Sequence, residues 1–241
     1  YATYKVLASE VSLTPISIAG HSLGEYTALV ASGSLSFFEA VKLVKKRAEL
    51  MQTAVPSGSG SMAAILGLDD VKVIEICSIA NEVGVVEAVN FNSPGQVVIA
   101  GEKKAVIHAC ELMKEAGAKR ALVLPVSVPS HCSLMKDAAM DFKQSVETIN
   151  FQMGSEKVLH NVDADYSSNI EDIKSKLVEQ LHKPVLWTSL VQKMKSSGVE
   201  KLIEAGPGKV LAGLTRRIDK SLTGSAIIDV TTLKSTIEEI S

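Results

Sequence analysis

Apolar and polar residues alternate along this chain in blocks that change rhythm several times. After Pro15, the short run Ile16-Ser17-Ile18-Ala19 ends at Gly20, the pattern of a buried strand. Leu23 to Val30 follows with helical character, and Gly33 sits where such a helix stops. Residues 1–12 read as the end of a helix feeding the strand at 15–19. A further helix is expected at about 36–53, with Phe37, Val41, Val44, Ala48 and Met51 on one stripe and Arg47 at its edge. Ser36 is its N-cap, and Glu39 three residues on completes a capping box. The run Pro56-Ser57-Gly58-Ser59-Gly60-Ser61 then breaks the pattern as a linker.

Beyond the linker the period changes. Strands are expected at Met62 to Leu66, Val85 to Phe91, Gln96 to Ala100 and Ala121 to Val126, with helices at about 69–83 and 102–116. That order, β-α-β-β-α-β, is the ferredoxin-like pattern, so residues 57–127 are expected to form a small inserted domain. Val128 to Cys132 returns the chain to the main body. Helices at about 134–148, 170–182, 185–197 and 209–218 then alternate with strands at Val158 to Val162 and Lys201 to Ala205. Residues 1–56 and 128–241 are therefore expected to form an α/β core of hydrolase-like kind, built on a parallel sheet with its site beyond the carboxyl ends of the strands.

Composition narrows the class. The 241 residues are 46% hydrophobic and 22% charged, enough apolar material for one large core or two unequal ones. A net charge of −2 gives no reason to expect nucleic acid or a membrane surface as the main partner. No apolar run approaches the roughly 18 residues of a membrane span, and there is no secretory pattern. Cys77, Cys110 and Cys132 are odd in number and form no C-x-x-C, which fits a reducing compartment, and the cytoplasm is expected. The chain opens on Tyr1 with no initiator Met and is expected to be a fragment.

Gly20, Ser22 and Gly24 fit the G-x-S-x-G nucleophile elbow. A strand turning at once into a helix presents the serine oxygen at the strand end, beside a helix N-terminus that favours an oxyanion. The three letters alone are a weak signal; a strand before and a helix after strengthen it. A serine needs a base. His21 adjoins Ser22 and is expected to point away, and His108 lies on a polar helix face. His131, at the seam between the domains, leads the candidates, followed by His160 and His182. No acid stands out as the third member of a triad, and a backbone carbonyl can take that role. Arg47 has Leu43, Val44, Leu50 and Met51 three and four residues away, so its helix offers no carboxylate. Its anion is either a protein carboxylate or a substrate carboxylate.

Six ordered motifs carry a resemblance over essentially the whole chain: Gly20-His21-Ser22-Leu23-Gly24-Glu25-Tyr26, the Arg of Arg47-Ala48-Glu49-Leu50-Met51-Gln52, Asn90-Phe91-Asn92-Ser93-Pro94-Gly95-Gln96, Pro125-Val126-Ser127-Val128-Pro129-Ser130-His131, Asn161-Val162-Asp163, and Glu204-Ala205-Gly206-Pro207-Gly208-Lys209-Val210-Leu211. Together they resemble the malonyl-CoA:acyl carrier protein transacylases of the stand-alone bacterial type. The resemblance implies Ser22 as nucleophile, His131 as base and then acid, Arg47 on the malonyl carboxylate, the Leu23 N–H as an oxyanion donor, and the Gln180 backbone carbonyl as the group orienting the histidine. It also implies malonyl-CoA and acyl carrier protein as partners, with no cofactor and no metal. The family's front motif, of Phe-Pro-Gly-Gln-Gly-Ser-Gln type, has no counterpart here, so the chain alone is expected to be impaired. The alternative on the elbow alone is a serine esterase or thioesterase of α/β-hydrolase type, which expects an acid between Ser and His and has no need of Arg47. A non-enzymatic docking module is a further reading, with Lys209, Arg216, Arg217 and Lys220 either meeting an acidic carrier or simply solvated.

Overall fold

The computed structural model describes residues 1–240. The chain runs α1 (Ala2–Glu10), β1 (Ile18–Ala19), α2 (Leu23–Ala31), α3 (Phe37–Thr53), β2 (Gly60–Leu66), α4 (Asp70–Ala80), β3 (Val86–Ser93), β4 (Gln96–Glu102), α5 (Lys103–Glu115) and β5 (Arg120–Val123). A short 3₁₀ turn at Ser133–Met135 leads into α6 (Lys136–Glu147), followed by β6 (Val158–Leu159), α7 (Ile170–Glu179), α8 (Trp187–Ser196), β7 (Lys201–Ala205), α9 (Val210–Ile218), β8 (Thr223–Ile227) and α10 (Val230–Ile240).

The fold is α/β with mixed strand directions. β1 pairs parallel with β6, and β7 parallel with β8. Between β1 and β6 in sequence, four antiparallel strands form a sheet of order β3-β4-β2-β5. The expected parallel sheet thus appears among the described residues as two separate pairs. The strands expected at 15–19 and 158–162 shrink to two residues each, because the chain leaves the ladder to build the site: Asn161 spends its groups on the Ser22 turn rather than on a neighbouring strand.

Four hydrophobic clusters hold these layers. Tyr26 and Leu29 of α2, Leu43 and Met51 of α3, Phe142 and Val146 of α6, and Leu177 of α7 form the first. A second lies between the four-stranded sheet and helices α4 and α5, around Ile65, Ile76, Ile99 and Met113. The third gathers Leu159, Trp187, Leu190 and Leu214 under α8 and α9. The other face of the sheet meets the chain just after His131: Met62, Val89, Val98 and Ala100 pack on Cys132. Backbone bonds stitch the same seam, with Phe91 N–H on the Val185 carbonyl at 3.0 Å and Val185 N–H on the Val89 carbonyl at 2.8 Å.

Helix α3 corrects the sequence reading. Its buried line is Ala40, Leu43, Arg47 and Met51, while Phe37, Val41 and Ala48 are exposed. Arg47 therefore sits in the middle of the core-facing side, not at its edge. Apolar residues occur on both sides of this helix, and a hydrophobic count places an arginine on the wet side. Ser36 Oγ does accept the Glu39 N–H at 3.2 Å, but the Glu39 carboxylate turns to Lys42 instead of closing the capping box. Helices α7 and α8 are each shorter than the expected 170–182 and 185–197, leaving 180–186 as a connecting loop. Strand β8 and helix α10 were not legible: Thr-Gly-Ser-Ala-Ile carries no alternation, and β8 draws its order from its partner β7.

One glycine is sterically required at the elbow. A Cβ on Gly20 would lie 2.0 Å from the Gly24 backbone carbonyl, so strand and helix touch there. A Cβ on Gly24 would meet nothing within 4 Å. Gly20→Ala is therefore expected to destabilise the protein by about 3 kcal/mol. Gly24→Ala is expected to leave stability within about 1 kcal/mol, since alanine is the better helix former. Urea melts of the two variants against the parent check this contrast; equal midpoints would contradict it.

Candidate active site

Ser22 occupies the turn between β1 and α2 with φ +50° and ψ −107°. L-residues avoid that region because the Cβ crowds the backbone. His131, in the segment that leaves the antiparallel sheet, also has a positive φ of +67°. Ser22 Oγ lies 2.8 Å from His131 Nε2, and His131 Nδ1 lies 2.6 Å from the Gln180 backbone carbonyl. A carbonyl can only accept, so Nδ1 carries the proton and Nε2 is left as the acceptor for the serine hydroxyl. The imidazole is 3% exposed. Burial, and then the positive charge of Arg47, push its pKa down to about 3. The resting site thus holds a neutral imidazole whose Nε2 accepts from the Ser22 hydroxyl.

Arg47 reaches the same point from α3. One of its terminal nitrogens donates to Ser22 Oγ at 3.1 Å and to Gln180 Oε1 at 3.2 Å. The residue is 7% exposed, and its Nε–H is buried with no acceptor. No carboxylate among the described residues forms an ion pair with it; both its partners are neutral oxygens. A buried guanidinium without a counter-ion is costly, and its fork is shaped for a carboxylate. The Leu23 N–H stands first in α2, where no preceding carbonyl of the helix can accept it, and the Leu23 side chain is half exposed at the site mouth.

The remaining histidines separate cleanly. His21 turns away as expected, its Nε2–H donating to Asn92 Oδ1 at 2.8 Å beside the Trp187 ring. His160 lies behind the site with Nδ1 at 2.7 Å from Glu25 Oε1. His182 is tied through its backbone N–H to the Glu179 carbonyl, and His108 sits near Glu82 and Glu111. The structure joins Ser22, His131, Arg47 and Gln180 in one hydrogen-bonded group, with Leu23 beside Ser22 at the start of α2; in the sequence, Leu23 and Gln180 are pointed to by the family resemblance alone. Sequence reasoning passed over Glu25 and the Asn161 side chain. Glu25 gave a signal of the kind that exposed Arg47: its neighbours at three and four residues on, Ala28 and Leu29, are apolar, so a carboxylate in that first turn needs a partner from elsewhere. His131 is also anchored from the antiparallel sheet, where the Glu87 carboxylate on β3 accepts the Ser133 N–H at 3.0 Å and the Ser133 hydroxyl.

Residues 1–234 match the family model described as an acyl transferase domain. The malonyl CoA-acyl carrier protein transacylase of Escherichia coli K12 is 51% identical over 237 residues, covering 98% of this chain and 77% of that protein. The Bacillus subtilis protein of the same name is 45% identical over 232 residues, 96% of this chain and 73% of the relative. Among solved structures, an acyl carrier protein S-malonyltransferase from Vibrio cholerae superposes with a TM-score of 0.95 at 51% identity, over 98% of this chain and 77% of that one. A malonyl-transacylase solved in complex with a type II PKS acyl-carrier protein superposes with a TM-score of 0.97 at 47% identity, over 99% and 77%.

A base that stays neutral in acid has a measurable consequence. An ordinary imidazole is about nine-tenths protonated at pH 5.5. The rate at which Ser22 reacts with an uncharged sulfonyl fluoride should therefore change by less than about twofold between pH 7.5 and 5.5, against about tenfold for an unperturbed histidine. A tenfold loss would contradict the depressed pKa. The sign for stability is opposite: His131, with His21 and His182, which burial also lowers, binds its proton less readily folded than unfolded, so stability falls as pH drops below their ordinary 6.5.

Proposed function

The chain belongs to the acyl transferase domain family, and on that premise we propose that it moves a malonyl group from malonyl-CoA to the thiol of acyl carrier protein, a step of fatty acid biosynthesis. The observation that carries the malonyl assignment is Arg47, a buried cation with a free N–H and no carboxylate of its own, one hydrogen bond from the nucleophile.

In the proposed mechanism His131 Nε2 takes the Ser22 proton as Oγ attacks the thioester carbon. The oxyanion forms at the start of α2, where the Leu23 N–H supplies one donor. Collapse expels the CoA thiolate, which takes the proton from His131, and leaves the acyl group as an ester on Ser22. The carrier thiol then gives its proton to His131 and attacks the ester, and Ser22 recovers its proton on leaving. Arg47 holds the malonyl carboxylate through both steps in a two-pronged contact. The Gln180 carbonyl takes the orienting role that a carboxylate has in a triad, by fixing the proton on Nδ1. Hydrolysis, the alternative on the elbow alone, has no use for Arg47, and the relatives are named as transacylases. No cofactor or metal enters any step.

We propose the same domain division as the sequence suggests. Residues 57–127 form a ferredoxin-like insert, which the order β-α-β-β-α-β and the antiparallel arrangement β3-β4-β2-β5 support. Residues 1–56 and 128–241 form a hydrolase-like core, supported by the strand-turn-helix geometry at Ser22. The cytoplasm is the proposed location; no helix among the described residues is long and apolar enough to cross a membrane.

The test is intact-protein mass spectrometry with malonyl-CoA, followed by transfer to holo carrier protein. The parent chain should gain one malonyl group, and Ser22→Ala none; a persistent adduct would move the nucleophile elsewhere. Arg47→Ala should lower malonyl transfer roughly 100-fold, the scale of one or two charge-assisted hydrogen bonds, with a much smaller effect on acetyl-CoA. Equal losses for both acyl groups would overturn the carboxylate role.

A further inference from the structure

We propose that Glu25 is a positioning residue for the nucleophile: its buried carboxylate holds the backbone N–H of Asn161 and the side-chain amide of Gln180, the two residues that lock Ser22 in its unfavourable backbone conformation. The inference rests on Ser22 being the nucleophile and concerns how that nucleophile is kept in place.

Glu25 lies in the first turn of α2 and is fully buried. Its Oε1 faces His160 Nδ1 at 2.7 Å, and its Oε2 accepts the Asn161 N–H at 3.0 Å and Gln180 Nε2 at 2.8 Å. Three donors from two distant segments thus converge on one carboxylate. Two of the residues so held grip Ser22 directly. Asn161 Oδ1 accepts the Ser22 N–H at 2.6 Å, while Asn161 Nδ2 donates to the Gly20 carbonyl at 2.8 Å. Gln180 Nε2 also donates to the Ser22 carbonyl at 3.0 Å.

The direction of each bond is forced. A peptide N–H only donates, so Asn161 turns its oxygen towards Ser22. A guanidinium only donates, so Gln180 turns Oε1 towards Arg47 and has both Nε2 hydrogens left, one for the Ser22 carbonyl and one for Glu25. Ser22 is therefore clamped at its N–H and at its C=O, the groups that define its φ and ψ. Strained backbone of this kind persists only where its surroundings over-determine it. A carboxylate accepts from all three donors at once; a glutamine would set its NH₂ either against the two N–H groups that meet at Oε2 or against His160 Nδ1, which would force that ring into its other tautomer.

A merely structural buried acid would alter how much protein folds, but not how fast the folded protein reacts. The experiment separates the two with the full chain and phenylmethanesulfonyl fluoride, which requires neither malonyl-CoA nor a carboxylate contact. Ser22 Oγ bonds to sulfur, fluoride leaves, and the hydroxyl proton departs through His131. The final amplitude of labelling counts competent molecules, and the rate constant reports the reactivity of Ser22. For Glu25→Gln the expected result is a rate constant about tenfold or more below the parent, at parent-like amplitude and circular dichroism. Gln180→Ala, which keeps the backbone carbonyl that orients His131, should show the same fall. A folded Glu25→Gln protein reacting within twofold of the parent would overturn the proposal. Should that variant not fold, Gln180→Ala decides alone, and a parent-like rate constant there overturns it equally. If the parent is sulfonylated at Ser22 yet takes no malonyl group from malonyl-CoA, the transfer reading fails while the positioning role of Glu25 stands.

Discussion

A serine at φ +50° constrains everything around it. Such a backbone costs about 1–3 kcal/mol, and a lone turn would relax out of it. Here the strand before it and the helix after it touch at Gly20, and amides from residues 161 and 180 hold its two peptide groups. These residues lie 139 and 158 positions away in sequence. The elbow is therefore a tertiary object. The two-residue strands β1 and β6 make sense on this view: they exist to bring Gly20 and Asn161 side by side, and end once that is done.

Charge is arranged as economically as backbone. Arg47 serves three oxygen or imidazole neighbours without a counter-ion of its own. It donates to Ser22 Oγ, which favours the alkoxide, and its field helps keep His131 unprotonated. An anionic acyl group seated on Arg47 would cancel that field, so the imidazole would gain proton affinity at the moment the serine proton must move. On the proposed mechanism, the cation that holds the acyl carboxylate and the imidazole that takes the serine proton are thus electrostatically linked.

Much of this was readable in the sequence, unevenly. The elbow, its serine and the linker stood out because Gly, Ser and Pro act through local backbone geometry. The six elements of the antiparallel sheet unit were legible because each is half-buried and so carries the period of its own structure. What failed did so for lack of local signal. The α3 stripe was misplaced because the core face of that helix contains Arg47, a residue that any apolar count puts outside. Residues Thr223–Ile227 have no pattern of their own and become a strand only against β7. Among the histidines, position alone left His131, His160 and His182 open. The choice depended on a 109-residue closure that brings Nε2 to Oγ, which no local pattern encodes. Glu25 went unnoticed as an acid because it does not touch the imidazole of His131: it acts one layer back, through amides.

The most direct measurement is a crystal structure of the protein trapped with a malonyl group on Ser22. The account predicts an ester at Ser22 Oγ, the acyl carbonyl oxygen facing the Leu23 N–H, and the free carboxylate on the guanidinium of Arg47 within about 3 Å. A malonyl carboxylate pointing to solvent, or bound to any cation other than Arg47, would contradict it.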